Sequence, residues 1–355
     1  MTTTVAAAAD FWDAEPGYLN TSSYGLPPRP AWEALQRALA DWRGGRTSWE
    51  SWADAVDESR ALFAGLVGVE PAAVATGASV SQLLAPVGAA VPDGATVLVP
   101  DVEFTSNVFP WAVHAGRGVT VRTAPVDGFV EAITAGVDVV AWSAVQSATG
   151  EVAGDAAISA AARAVGALTV VDVTQAAGWL PVDANAVDVL VGTAYKWLCS
   201  PRGTGFLVLH PDLSGRHPGV ASRLIPLAAN WFAGESVHDS YYGLPLRLAG
   251  DARRFDISPA WHCWVGTAPA LRLLTEVGVA EIGAHNVGLA NSFLTALDQP
   301  PSNSAIVSVP ADEAAVARLH AAGVRFGMRA GRVRVAFHLY STPADVELAV
   351  RALRG

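Results

Sequence analysis

Lysine is almost missing from this chain. Of 23 lysine and arginine residues in 355, only Lys196 is a lysine. A guanidinium does not deprotonate in proteins, so 22 of those cations are closed to imine chemistry. The one primary amine can be desolvated, lose its proton and attack a carbonyl. Codon bias alone would also leave a stray lysine, and a stray one belongs on a charged surface. Cysteine is scarce too. Cys199 and Cys263 show neither a CxxC pair nor metal-ligand spacing, which argues against a disulfide framework or a structural zinc. The eight histidines are scattered without an HExxH pattern, and no metal is expected. No apolar run reaches the roughly 18 residues that a membrane-spanning helix needs. No basic run is present and the net charge is −10, which speaks against nucleic acid as a partner. Residues 1–10 are Thr/Ala-rich without the basic start of a signal peptide, and read as a short flexible lead-in to a cytoplasmic protein.

Apolar residues make up 51% of the chain and charged ones 16%, enough for a substantial core. Helical spacing predicts helices over 30–43 and 51–66. Short Val-rich runs over 96–100, 137–143, 168–172, 187–192 and 205–210 read as strands of a parallel sheet covered on both faces. Helices over 107–115 and 156–165 would cover it, giving a doubly wound α/β architecture. From about residue 251 the pattern changes. Helices over 264–276 and 280–297, a strand–helix–strand unit at 305–309, 312–321 and 333–337, and a last helix over 343–353 read as a smaller α+β domain. The expected division is a large domain at 26–250, with 1–25 and 251–355 forming the small one.

Sheets of this kind bind ligands outside the carboxyl ends of their strands. Asp172 closes the run Leu-Thr-Val-Val-Asp, and Lys196 follows Val-Gly-Thr-Ala-Tyr, so both belong to that edge. A carboxylate able to keep a ring nitrogen protonated and an amine able to form an imine are the two groups that a pyridoxal phosphate enzyme requires. Taken alone, Asp172 also reads as the cap of a following helix. Ala75-Thr-Gly-Ala-Ser-Val80 leads into a helical run over 81–87. Such a turn offers free N–H groups to a phosphate, though it can equally be a plain cap.

The stretches Asp172-Val-Thr-Gln175, Thr193-Ala-Tyr-Lys196 and Pro201-Arg-Gly-Thr-Gly205 resemble the D-x-x-Q, S-x-H-K and G-x-G run of the class V aminotransferase family. That family is a branch of fold-type I pyridoxal phosphate enzymes including cysteine desulfurases, kynureninases, isopenicillin N epimerase and ergothioneine-pathway C–S lyases. The resemblance implies a mostly parallel sheet in a large domain and a smaller α+β C-terminal domain. It also implies a homodimer with its active site at the subunit interface, acting on a small amino acid. Carried over, Lys196 forms the imine, Asp172 pairs with the pyridine nitrogen and Gln175 bonds the phenolic oxygen. Thr193, Tyr195, Ala78, Ser79 and Val80 meet the phosphate, and Ser147 lies near the cofactor. Asp101-Val-Glu-Phe-Thr-Ser-Asn107 resembles the desulfurase E-H-H-x-N stretch and sets Phe104 over the ring, where those enzymes have an acid/base histidine. Arg334, in Arg334-Val-Ala-Phe-His-Leu-Tyr-Ser-Thr342, takes the arginine position that clamps the substrate carboxylate, with Arg329 assisting. Asn20 lies in the segment over the substrate. Ser258, in Arg254-Phe-Asp-Ile-Ser-Pro259, stands where relatives reach the other subunit's phosphate.

The resemblance leaves the reaction open. Residues 321–333 hold no cysteine, which argues against desulfuration. Phenylalanine at 104 transfers no protons and leaves that work to Lys196. A β-eliminating C–S lyase is the preferred expectation. Transamination, racemisation or epimerisation, kynureninase-like cleavage and a non-catalytic member of the fold are the alternatives.

Overall fold

A computed structural model describes residues 3–355. Seven strands form the larger sheet: β1 (Val74–Gly77), β2 (Thr96–Pro100), β3 (Thr120–Ala124), β4 (Val139–Ser143), β5 (Leu168–Asp172), β6 (Val189–Thr193) and β7 (Gly205–Leu209). Their order is β1-β7-β6-β5-β4-β2-β3. Along β5 and β6, Leu168, Val170, Val189 and Val191 pack with Leu83 and Leu84 on one face. Val171 and Leu190 pack with Trp142 and Phe206 on the other. Two buried faces, each claiming alternate residues, explain why these strands are apolar throughout.

Three strands of this sheet depart from the expected pattern, one of them β1, which was not expected as a strand. β7 runs antiparallel to both β6 and β1. The connection from Thr193 to Gly205 carries no crossover helix, so the chain turns straight back, and a parallel pairing would need such a crossover. β3, at the sheet edge, was not expected. Thr120, Thr123 and their neighbours are largely exposed, and the strand lacks the apolar run that marks the others. The helix expected over 107–115 shrinks to Phe109–Ala112 between two 3-10 turns.

A second sheet has the order β8 (Ile306–Val309), β10 (Arg332–Ala336), β9 (Gly327–Arg329), all antiparallel. The N-terminal segment adds to it through bridges from Tyr18 to Arg325 and from Asn20 to Ala336. The lead-in is not uniformly flexible: Val5–Ala9 is helical and Ala8 is buried. Residues 1 and 2 of that expectation lie outside the described residues. The Trp261–Val277 helix packs on the Arg29–Arg43 and Trp49–Val67 helices. Trp264 lies edge-on to Phe206, which itself stacks on Phe63 at 4.1 Å. The division of the chain near residue 251 stays a proposal, and this packing ties at least that helix to the larger sheet.

Candidate active site

β2, β4, β5 and β6 run parallel and end at Pro100, Ser143, Asp172 and Thr193. β1 points the same way as β6, since both oppose β7, so Gly77 joins that edge. A cavity of ≈ 240 Å³ opens there. Its walls include Ala78, Ser79, Val80, Phe104, Ser147, Asp172, Gln175, Thr193, Tyr195 and Lys196. Ten of the fourteen expected site residues thus come together from five separate stretches of chain.

Lys196 is 6% exposed, and its Nζ takes no hydrogen-bond partner among the described residues. Burial lowers its pKa to about 8, against the pull of Asp172 and helped by Arg334, Arg329 and Arg202. The backbone fixes its position. Gly25 N–H donates to the Tyr195 carbonyl at 3.0 Å. A Cβ on Gly25 would fall 1.8 Å from the Lys196 carbonyl oxygen, so only glycine allows this approach.

Asp172 is buried and its pKa raised by desolvation, opposed by hydrogen bonds from Thr174 and the charge of Lys196. Its Oδ1 accepts from Thr174 N–H at 2.8 Å, so the capping role is real, but it caps a turn rather than a helix. Ser79 caps the Val80–Ala90 helix, accepting from Gln82 N–H at 3.3 Å. The first N–H groups of such a helix have no intrahelical acceptor and suit an anion. Gly77 keeps the turn narrow: a Cβ there would meet Leu83 Cδ2 at 2.5 Å. Phe104 is 44% exposed, with Lys196 Nζ 5.5 Å from its ring centre, so it is a cavity wall and not core filling.

Gln175 is held from behind. His338 is wholly buried, stacks on Trp197 and donates from Nε2 to the Trp197 carbonyl at 2.9 Å, its Nδ1 accepting from Leu339 N–H at 2.7 Å. Burial pushes His338 down to about 4, which keeps it neutral. Trp197 Nε1 then donates to Gln175 Oε1 at 2.8 Å. Gln175 Nε2 donates to the Ser22 carbonyl at 3.0 Å and to Ser147 Oγ at 3.1 Å. Both amide hydrogens are therefore engaged, and a bond to a cofactor oxygen requires one of them to be released.

Four expected residues do not line the cavity. Arg334 lies behind it, 1% exposed, donating to the Ser147 carbonyl, to Ser147 Oγ at 3.2 Å and to Ser23 Oγ at 2.9 Å. Burial first, then Arg329, pushes it down to about 10. Arg334 Nε and Asn20 Oδ1 are buried without partners. Arg329 is exposed, and its Nη1 donates to the Met328 carbonyl at 2.7 Å. Ser258 is exposed, two residues beyond Asp256, whose carboxylate pairs with buried Arg60 at 2.7 Å. Sequence reasoning missed Glu103, Trp197, Arg202 and His338. Glu103 accepts from Ser143 N–H at 2.7 Å and Phe104 N–H at 2.9 Å. Burial raises its pKa, and Asp172 adds to the rise. Glu103, Arg202 and His338 all belong to quoted motifs, so their places were open to inspection; Trp197 carried no signal beyond being aromatic.

The family model for aminotransferase class-V matches residues 39–326. The chain belongs to the class V aminotransferase family. Its members use pyridoxal phosphate, and this chain is a pyridoxal phosphate-dependent enzyme. An uncharacterized aminotransferase, YcbU of Bacillus subtilis, is 29% identical over 267 residues, 71% of this chain and 69% of that one. A probable cysteine desulfurase of Streptomyces coelicolor is 26% identical over 296 residues, 72% of this chain and 68% of that one. Among solved structures, the cystine C–S lyase C-DES in complex with cysteine persulfide superposes with a TM-score of 0.84. It is 22% identical, covering 96% of this chain and 98% of that one, and the likeness establishes the fold-type I architecture. The class V residues fit the cofactor: a buried amine without a hydrogen-bond partner, a buried carboxylate and a glycine-narrowed helix start share one cavity.

Proposed function

We propose that this enzyme is a C–S lyase-like catalyst of β-elimination from a small amino acid. The observation that carries the reading is a cavity uniting Lys196, Asp172 and the Gly77–Val80 turn, with no cysteine or histidine among its lining residues. Cys199 is buried with its thiol pushed up by desolvation, so it is a poor sulfur acceptor. Cys263 is half-buried, its thiol donating to the Arg202 carbonyl at 3.1 Å.

Bound pyridoxal phosphate supplies a sink for electrons released at the substrate α-carbon. Asp172 would keep the pyridine nitrogen protonated, and Phe104 would cover the ring. Ala78, Ser79, Val80, Thr193 and Tyr195 receive the phosphate. Gln175 and Ser147 serve the phenolic side. Arg334, with Asn20 and Arg329, would orient the α-carboxylate; all three stand outside the cavity wall, so Arg334 would have to release Ser147 or Ser23 to do so. Lys196 Nζ would hold the cofactor and would be the group that carries the α-proton, since phenylalanine at 104 cannot. The enzyme acts in the cytoplasm as a homodimer, in which Ser258, exposed on its own chain, serves the phosphate bound by the partner. Support for that arrangement comes from Ile225, Leu227, Tyr242, Leu244 and Leu246, all at least 61% exposed within one stretch.

Incubation of the loaded enzyme with cysteine conjugates and plain amino acids tests the reaction. Pyruvate and ammonia formed without a second substrate support elimination. A keto acid whose formation needs an added amino acceptor replaces it with transamination, the second reading, which the likeness to YcbU favours.

The lowered lysine predicts a pH dependence. Only the neutral amine attacks the cofactor's carbonyl, and a pKa of about 8 makes it available well below the ordinary lysine range. The rate at which cofactor-free protein turns yellow with pyridoxal phosphate should rise through pH 8 and level off above it. A rate still climbing steeply near pH 10 would show that the amine is not desolvated.

A further inference from the structure

Arg202 also lines the cavity, six positions after Lys196 on the turn leading into β7. Its guanidinium lies 4.8 Å from the centre of the Tyr195 ring, and its Nη1 donates to Tyr24 Oη at 3.0 Å. Tyr24 and Tyr195 lie 5.5 Å apart, and Tyr18 Oη donates to the Tyr24 carbonyl at 2.7 Å, so the aromatic seat is itself fixed. An arginine placed for packing usually spreads its donors over carbonyls and carboxylates. Arg202 uses one donor of its fork, and no carboxylate pairs with it among the described residues.

The site's charges can be assigned one by one. Asp172 is committed to the ring nitrogen, and Glu103 is bound to Ser143 and Phe104. On the reading above the phosphate is assigned to the Ser79 turn and the α-carboxylate to Arg334, which would reach it by releasing Ser147 or Ser23. Arg202 is exposed where it lines the cavity, and none of these anions is assigned to it. Its position relative to the clamp is also fixed: Arg334 donates to Ser23 Oγ and Arg202 to Tyr24 Oη, so consecutive residues of one segment hold both heads.

We propose that Arg202 anchors a second, anionic group at the far end of the substrate, so that the substrate class is amino acids with a distal carboxylate or a comparable acid. This rests on the pyridoxal phosphate reading above and narrows it. A planar guanidinium braced against an aromatic face is suited to a carboxylate, which it can meet with two parallel N–H groups.

The test titrates the cofactor-loaded enzyme with the pairs L-aspartate and L-asparagine, and L-glutamate and L-glutamine, reading the spectral shift of the bound cofactor. The acid of at least one pair should bind about tenfold tighter than its amide. Arg202→Gln should bring the two together, and Arg202→Lys should restore part of the gap. Equal affinities in the unaltered enzyme, or a gap that survives Arg202→Gln, overturn the proposal. A second measurement compares the affinity of cofactor-free protein for pyridoxal phosphate and for pyridoxal. Arg202→Gln should leave their ratio unchanged; a selective loss for the phosphate form would make Arg202 a cofactor anchor and overturn the proposal. Should Arg202→Gln misfold, the amide comparison in the unaltered enzyme and the Arg202→Lys variant decide. A protein that never acquires colour with pyridoxal phosphate would instead overturn the underlying cofactor reading.

Discussion

Lys196→Ala is expected to abolish turnover, by on the order of 10³-fold or more, because on the proposed mechanism one change removes both the cofactor anchor and the proton carrier. The chain makes this test unusually clean. Borohydride reduction of the loaded enzyme should fix the cofactor's mass on one peptide, and no other lysine exists to take the label. In Lys196→Ala that peptide should stay unlabelled. Lys196→Arg should be equally inactive, since it restores charge but not a nucleophile. A small exogenous amine should return part of the proton-transfer activity to the alanine variant. Full turnover by Lys196→Ala would refute the assignment. The cavity offers no ready substitute, because no histidine is among its lining residues and Phe104 transfers no protons.

Asp172→Asn should lower turnover by on the order of 10² to 10³-fold, the range found when one preorganised charge partner is removed from a reacting centre. The fold should survive. Asparagine is nearly isosteric, and its carbonyl can still accept from Thr174 N–H at the 2.8 Å position. Near-normal circular dichroism with lost activity would therefore separate a chemical role from a capping one. The pH behaviour gives a second readout. The Asp172 charge raises the Lys196 pKa, so its removal should move the rise in cofactor incorporation to lower pH. Activity within about twofold of the unaltered enzyme would reduce Asp172 to the cap of its turn.

Lys196, Asp172 and the Ser79 turn were legible because their chemistry is local in sequence, whereas Gln175, Thr193, Tyr195, Phe104 and Ser147 were named through the resemblance. A strand end, a turn and a helix start each present one group, and the parallel arrangement gathers strand ends at one edge. Arg334 was legible only through a motif. Its burial, its bonds to Ser147 and Ser23 and its unpartnered Nε depend on the N-terminal segment joining the second sheet, a contact of high sequence separation. Gln175 shows the opposite case. Its position was expected, but the His338–Trp197 support that fixes its amide was not, because stacking between residues so far apart leaves no periodic trace. The edge strand β3 was missed because an exposed strand needs no apolar run, and β7 was given the wrong direction because its composition matches that of the parallel strands around it.

The sequence by itself determined the class of chemistry: a solitary amine, an acid at a strand end and a turn fit for phosphate, each set by residue type and local backbone. Only the tertiary structure decided how those groups are tuned. Burial lowers the lysine, raises Asp172 and Glu103 and holds His338 neutral, and burial belongs to the whole packed chain rather than to any segment. The same holds for Arg202. In the sequence it is part of the Pro201–Gly205 stretch with no role assigned; in the fold, Tyr24 and Tyr195 seat it in the cavity wall without a carboxylate partner among the described residues.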